Sequence, residues 1–202
     1  MHSLTPEELS PRASYRLLTS LVIPRPIAWV STVDDEGVFN LAPFSFFNAV
    51  GAPPPTVMIS VDQRNGKPKD TLLNIRANNE FVLNFVDASL LTPMNATSGE
   101  WEHDVDEFSL AQLTPTPSQD IRPPRILEAV AAMEVIAKQI VPVEDTTSTM
   151  VIGRVIRFHI REDIFREDGA IDPLKLRPLG RLGGDNYGTL GEVIQLARPK
   201  IG

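Results

Sequence analysis

Between residues 24 and 48 the chain reads PRPIAWVSTVDDEGVFNLAPFSFFN. Ile27, Trp29 and Val33 alternate with smaller or polar residues, the pattern of a strand with one buried face. Asp34-Asp35-Glu36-Gly37 supplies turn chemistry, and residues 38–42 run back, so a hairpin is predicted. Upstream, Thr5-Pro6-Glu7-Glu8 fits a capping box with proline preset at the first helical position, which predicts a short helix. Ser10-Pro11 restarts a turn that carries Tyr15, Leu17 and Leu18 towards the core. Ile23-Pro24-Arg25-Pro26 then forces an extended approach to the first strand.

Downstream, Pro53-Pro54-Pro55 interrupts any sheet, whereas residues 56–61 (TVMISV) have the β-branched content of a strand. Residues 64–68 read as a turn. Asp70 or Thr71 caps a helix that runs to about Ala77, with Leu72, Leu73 and Ile75 on its apolar side. Residues 80–86 alternate again as a strand. Residues 87–124 are an excursion with a short helix near 89–94 and an irregular stretch at Thr114-Pro115-Thr116-Pro117. Residues 129–141 fit either a helix or a strand, and Val135, Ile136, Ile140 and Val141 tilt the reading towards strand. Residues 150–160 (MVIGRVIRFHI) are another, placing Val151, Gly153, Val155, Arg157 and His159 on one face, and Asp168-Gly169 is a turn. No repeat or linker divides the chain, so one mainly β domain spanning 1–202 is expected. The spacing suits a small antiparallel barrel with a few peripheral helices, and the lack of regular strand–helix alternation argues against a doubly wound sheet.

Composition narrows the partners. The 202 residues are 42% hydrophobic and 22% charged, ordinary for a folded domain. A net charge of -7 argues against broad binding to nucleic acid or anionic membranes, while leaving room for a local basic pocket. The absence of cysteine removes disulfides, thiolate nucleophiles, iron–sulfur ligation and cysteine zinc sites. No apolar run is long enough to span a bilayer, and the N-terminus has no leader pattern, so a cytoplasmic protein is expected.

Lys69-Asp70-Thr71 sets a positive charge, a hydroxyl and unpaired backbone amides at one helix start, the requirement of a phosphate dianion. The plain alternative is a solvated lysine beside a helix cap, and Asp70 would repel an anion if it pointed inward. Ser45-Phe46-Phe47-Asn48 offers hydroxyl and amide donors beside aromatic faces, suited to a flat, polar-edged ring; the alternative is phenylalanines that enter the core. Ser31 and Thr32 are either ligand-facing hydroxyls or simple strand positions. His159 is a candidate proton donor or a packed strand histidine. The acidic stretch from Glu102 to Glu107 lacks metal-ligand spacing and reads as a solvated turn, so no metal site is assigned. Residues 180–188 (GRLGGDNYG) are no Walker or dinucleotide fingerprint; they read as a mobile loop presenting Arg181 and Tyr187 at a pocket mouth, or as a glycine-rich connection. No hydrolase signature is present.

Together, PRPIAWVST, DxxGxxNLAPFSFFN, KDT, EFVLN and LGRLGGDNY resemble the flavin reductase-like proteins with the FMN-binding split barrel, over about residues 21–188. The resemblance implies a six-stranded antiparallel Greek-key split barrel. It also implies a homodimer with FMN near the subunit interface, and NADH or NADPH as reductant. On matching positions it places Lys69, Asp70 and Thr71 around the phosphate and ribityl chain. Ser45, Phe46, Phe47 and Asn48 would line the ring, with Ser31, Thr32, Ser60 and Arg64 nearby. Ala111-Gln112-Leu113 departs from the Ala-Gly-Leu common in relatives.

The reading that follows is an NAD(P)H-dependent flavin oxidoreductase, with hydride passing from nicotinamide C4 to flavin N5 and electrons onward to a partner monooxygenase or other acceptor. No side-chain base is needed for that step, in keeping with a sequence that offers no compelling catalytic dyad. The alternatives are an FMN-holding electron carrier and a barrel that binds a small ligand without redox chemistry.

Overall fold

The structure, a computed structural model, describes residues 1–199. A single 3-10 turn (Pro6–Glu8) stands where the short helix is expected, with Glu8 Oε2 accepting from the Thr5 amide at 2.6 Å. Ser10 then caps α1 (Pro11–Leu21). Tyr15, Leu17 and Leu18 do not reach the core: they are exposed, as are Leu21, Val22 and Ile23, because nothing among the described residues packs against that side of α1.

β1 (Arg25–Pro26) leads into β2 (Ala28–Val33), which turns back as β3 (Phe39–Phe44). The predicted hairpin forms. Its turn is held by Asp34 Oδ1, which accepts from the amides of Glu36 at 2.9 Å and Val38 at 2.8 Å, with Gly37 at φ 89°. β2 is buried on both faces rather than one. Ala28 and Val30 enter the barrel interior, while Ile27 and Trp29 enter a second core with Leu41, Leu90, Met94, Phe108 and Ile126, and the indole N–H of Trp29 donates to Thr97 Oγ1 at 2.9 Å. The excursion makes that second core.

β4 (Phe47–Gly51) and β5 (Thr56–Asp62) follow, then α2 (Asp70–Asn78) and β6 (Glu80–Phe85). The excursion holds a 3-10 turn (Ala88–Leu90), α3 (Leu91–Ala96), α4 (Glu107–Leu110), and a two-residue ladder between β7 (Pro115–Thr116) and β8 (Arg125–Ile126) where an irregular stretch is expected. Gln112 has φ 56°, a left-handed conformation that favours glycine. The turn is thus kept at a strain of about 1 kcal/mol. The long strands β9 (Ala131–Pro142) and β10 (Ser148–Ile160) come next. A 3-10 turn (Glu162–Ile164), α5 (Pro173–Leu176), β11 (Leu179–Arg181) and β12 (Tyr187–Thr189) complete the order.

The main sheet has seven strands in the order β3-β2-β6-β9-β10-β5-β4, with every pairing antiparallel. The expected count of six differs because the strand continuing from the hairpin breaks at Ser45 and Phe46 into β3 and β4, which occupy opposite edges. Three residue steps from Phe44 to Phe47 reach at most about 11 Å, so the sheet must curl until its edges meet. That is a barrel. Its interior is filled by Val57, Ile59, Val61, Phe81, Leu83, Met133, Val135, Val151 and Val155, and α2 plugs one end with Leu72 and Ile75. Leu73, expected on the same apolar side, is exposed. Among the described residues no helix is long and apolar enough to cross a membrane.

β10 corrects one expectation. Val151, Gly153 and Val155 share the interior face, and a Cβ on Gly153 would stand 2.4 Å from Val135 and 2.9 Å from Phe81. Pairing then shifts between Val155 and Arg157, a bulge that puts Phe158 opposite Met133 and His159 opposite Ala132. His159 therefore lies on the outer face. Its Nε2 meets Glu134 Oε1 at 2.6 Å, and Glu134 also accepts from the amides of Gln119 (2.7 Å) and Asp120 (2.8 Å). Burial works to raise the Glu134 pKa, but these hydrogen bonds outweigh it and hold the carboxylate low. His159 thus pins the end of the excursion to the barrel wall.

Candidate functional site

Asn65 and Gly66, with φ 49° and 75°, make a two-residue turn in which Arg64 and Lys67 exchange both backbone hydrogen bonds at 2.8 Å. The turn delivers Pro68 and Lys69 to the start of α2. Lys69 occupies the cap position and no side chain caps the helix, so neither Asp70 nor Thr71 has the expected capping role. Thr71 is buried, and its Oγ1 accepts from Asn40 Nδ2 at 2.9 Å, fixing α2 to β3. The Leu72 amide turns back to the Lys69 carbonyl at 2.9 Å, so among the described residues the amides of Asp70 and Thr71 are the ones left open at the end of the helix that carries partial positive charge.

A cavity of about 420 Å³ opens there. Asn40, Ala42 and Pro43 of β3 form one wall, residues 64–71 a second, and residues 97–103 with Glu107 the third. The third wall is tied on by Arg64, whose Nη1 and Nη2 donate to the carbonyls of Trp101 (2.7 Å) and Glu100 (2.6 Å). Among the described residues Lys69 has no carboxylate partner; its Nζ sits 5.6 Å from the Phe44 ring centroid. A free ammonium beside an uncapped helix start is an arrangement for an anion.

Four carboxylates line the cavity, Asp70, Glu100, Glu102 and Glu107, and two of them have perturbed surroundings. Glu107, the first residue of α4, is 8% exposed, and its Oε2 accepts from the Leu41 amide at 3.0 Å. Burial pushes its carboxyl up to about 7. Asp70 Oδ1 lies 2.8 Å from Nδ1 of His103, whose Nε2 is 3.4 Å from Asp34 Oδ2. The hydrogen bond to Asp70 holds the imidazole above its usual pKa. The stretch from Glu102 to Glu107 is thus no mere solvated turn. Its DEF segment, two charges followed by an aromatic, is the one sequence signal of a chain that dips inward.

The other expected site residues scatter. Ser31 and Thr32 are fully enclosed: Ser31 donates to the Pro124 carbonyl at 2.5 Å and Thr32 accepts from Asn74 at 3.0 Å, so both are wall residues rather than ligand-facing. Phe47 packs against the barrel interior, while Phe46 and Asn48 are exposed. Ser60 donates its amide to the Phe46 carbonyl at 2.8 Å. Ser45 Oγ accepts from Arg25 Nε at 3.4 Å. Arg25 is itself buried, with its guanidinium on the carbonyls of Thr19, Val22 and Leu182, and composition gave no hint of that role. Residues 45–48 do not line the cavity, but they continue the β3 strand that does.

Arg181 and Tyr187 are not at the cavity mouth. They pair across the β11–β12 hairpin, which adds to β1, with the guanidinium 4.4 Å from the ring centroid. The Tyr187 hydroxyl donates to Asn95 Oδ1 at 3.0 Å. They brace α3.

The fold is a small antiparallel barrel with a cavity at the start of the helix that plugs it, lined by Arg64, Lys67 and Lys69 together with carboxylates. A family model described as flavin reductase like domain matches residues 20–179, and the chain belongs to that family. It is similar in structure to component B of nitrilotriacetate monooxygenase from Bacillus cereus, with 40% identity, a TM-score of 0.93, and coverage of 97% of this chain and 98% of that one. The 2-nitrobenzoate 2-nitroreductase of Pseudomonas fluorescens is 33% identical at a TM-score of 0.89, covering 98% and 96%. A structure from Shewanella frigidimarina with a split barrel domain, 23% identical at a TM-score of 0.88 over 98% and 100%, shares the fold.

Proposed function

We propose that this protein binds FMN and acts as an NAD(P)H-dependent flavin oxidoreductase. The observation that carries the reading is Lys69, unpaired at the uncapped start of α2 inside a cavity of about 420 Å³, in a chain of this family. The cavity volume falls within the ordinary range for cofactor sites. Lys69 and the open amides of Asp70 and Thr71 would hold the phosphate, with Arg64, whose guanidinium is engaged by Glu100 and Trp101, holding the wall beside it. The ring would extend along β3 from Ala42 and Pro43 towards Ser45, Phe46, Phe47 and Asn48. Asn48 Oδ1 is occupied by the Ala49 amide at 2.9 Å, which leaves its NH₂ to donate. Ser31, Thr32 and Ser60 support the walls.

When bound, FMN supplies the two-electron acceptor that takes hydride from C4 of the nicotinamide at its N5. The side chains around it orient and exclude water; none is required to move a proton in that step. Donors at residues 45–48 would stabilise negative charge on the reduced ring. The likeness to a monooxygenase component supports a partner oxygenase as the electron acceptor.

The ring half of this site would lie at the exposed edge strand β4, and Arg25, bonded to the Thr19 and Val22 carbonyls at the end of α1, reaches to 5.9 Å from the Phe46 ring beside it. A second copy of the chain covering Leu21, Val22 and Val50 would enclose it, so the working form is a homodimer, and sedimentation at the mass of one chain would contradict this. For the reaction itself, protein loaded with FMN and mixed anaerobically with NADH, then NADPH, is expected to lose its oxidised flavin absorbance with at least one of them. Flavin that stays oxidised with both would remove the reductase assignment and leave the electron carrier.

A further inference from the structure

The cavity has a flaw as an anion site: Asp70 stands at the first helical position, where its carboxylate opposes any phosphate held by the same amides. His103 lies directly on that carboxylate. Nδ1 is 2.8 Å from Asp70 Oδ1, and the other ring nitrogen reaches Asp34 at 3.4 Å in the hairpin turn. We propose that His103 is a positioning residue whose imidazolium masks Asp70, so that its protonation sets the range of pH over which the cavity accepts a phosphate.

The setting supports a charge role beyond a mechanical one. Residues 99–103 are already fastened without His103: Arg64 holds the carbonyls of Glu100 and Trp101, and the Trp101 indole N–H donates to the Ala96 carbonyl at 3.0 Å. That indole lies so close over Gly99 that a Cβ there would be 2.7 Å from its nitrogen. The groups acting on the imidazole are acidic on each neighbouring element: Asp70 on α2, and Asp34 and Glu36 in the hairpin turn; Glu102, on its own segment, lines the same cavity. Lys69, Lys67 and Arg64 line the same cavity, Arg64 being paired with Glu100 at 3.3 Å. The hydrogen bond to Asp70, with the charges of Asp34 and Glu36, holds the imidazolium to a higher pH than a free histidine would keep it, so masking is complete at acid pH and is lost as the pH rises through that raised pKa. Glu107, buried at the back of the same cavity, ionises over an overlapping range and must be separated from the effect.

This inference rests on the FMN reading of the cavity, and the test separates the two. FMN and riboflavin are titrated into wild type, His103→Gln, Asp70→Asn and the double variant across about pH 5.5 to 9. The phosphate's own ionisation and that of Glu107 cancel in the ratio of wild type to variant. His103→Gln is expected to weaken FMN about five-fold at the acid end, in line with a partly screened charge pair. The ratio should close towards one as the pH rises through the histidine's pKa. Riboflavin should not respond, and in the Asp70→Asn background His103→Gln should have no effect. A loss that is the same at every pH, equal for both ligands, or not rescued by Asp70→Asn would overturn the masking role while leaving the FMN site standing. Failure of wild type to bind FMN at all would instead remove the site.

Discussion

Lys69→Ala is expected to weaken FMN about 10- to 100-fold and riboflavin by less than about two-fold. The range follows from the roughly 1.5–3 kcal/mol attached to a hydrogen bond with a charged partner, at 1.36 kcal/mol per decade. Lys69 suits this test because no carboxylate pairs with it among the described residues; its one recorded charge contact is a cation–π approach to the Phe44 ring at 5.6 Å, which FMN and riboflavin would feel alike. Removing it also leaves α2 intact, since the cap position makes no side-chain hydrogen bond. The comparison with riboflavin isolates the phosphate, as the two ligands share ring and ribityl chain. Equal weakening of both in parallel fluorescence titrations would place the phosphate elsewhere.

Glu107→Gln is expected to stabilise the protein increasingly as the pH rises, by roughly 3 kcal/mol between about pH 4 and pH 8. The wild-type carboxyl ionises at about 7 in the fold against 4.5 in the open chain, because burial penalises the charge. At 1.36 kcal/mol per pH unit, that difference is the energy in question. The folded form binds its proton more tightly, so wild-type stability is fully present below pH 4.5 and declines until the folded carboxyl has ionised above 7. The glutamine has nothing to ionise, and its carbonyl can still accept from the Leu41 amide, as Glu107 Oε2 does at 3.0 Å. A fixed offset between the two proteins measures only how the amide packs; the slope carries the test. Denaturant unfolding at both pH values with an unchanged difference would contradict the buried, proton-binding role.

The barrel was legible where local chemistry and tertiary position agree. The β2–β3 hairpin follows from alternation on either side of Asp34 to Gly37, and β5, β6, β9 and β10 from β-branched runs. The start of α2 follows from the turn at Asn65-Gly66. What escaped was set by long-range packing. The bulge at Ile156 turns His159 to the outer face, and no residue there announces it. Trp29 is buried because a segment some sixty residues later folds over it, so alternation suggests one covered face where there are two. Tyr15, Leu17 and Leu18 read as core residues because they are apolar, yet among the described residues no element covers them. At the site, Lys69, Asp70, Thr71 and Arg64 come together as the motif suggests, whereas Asn40, His103 and Glu107 join them from segments whose own patterns are mute. Glu107 sat inside an acidic run that reads as solvent-facing; only the turn of α4 onto β3 buries it.

The most direct measurement is the visible spectrum of the purified protein, taken before and after incubation with FMN and gel filtration. A flavin band that travels with the protein, or FMN fluorescence quenched saturably in proportion to protein, is the predicted result. Protein that emerges without a flavin band, and leaves FMN fluorescence unchanged at every ratio, would contradict the account at its centre.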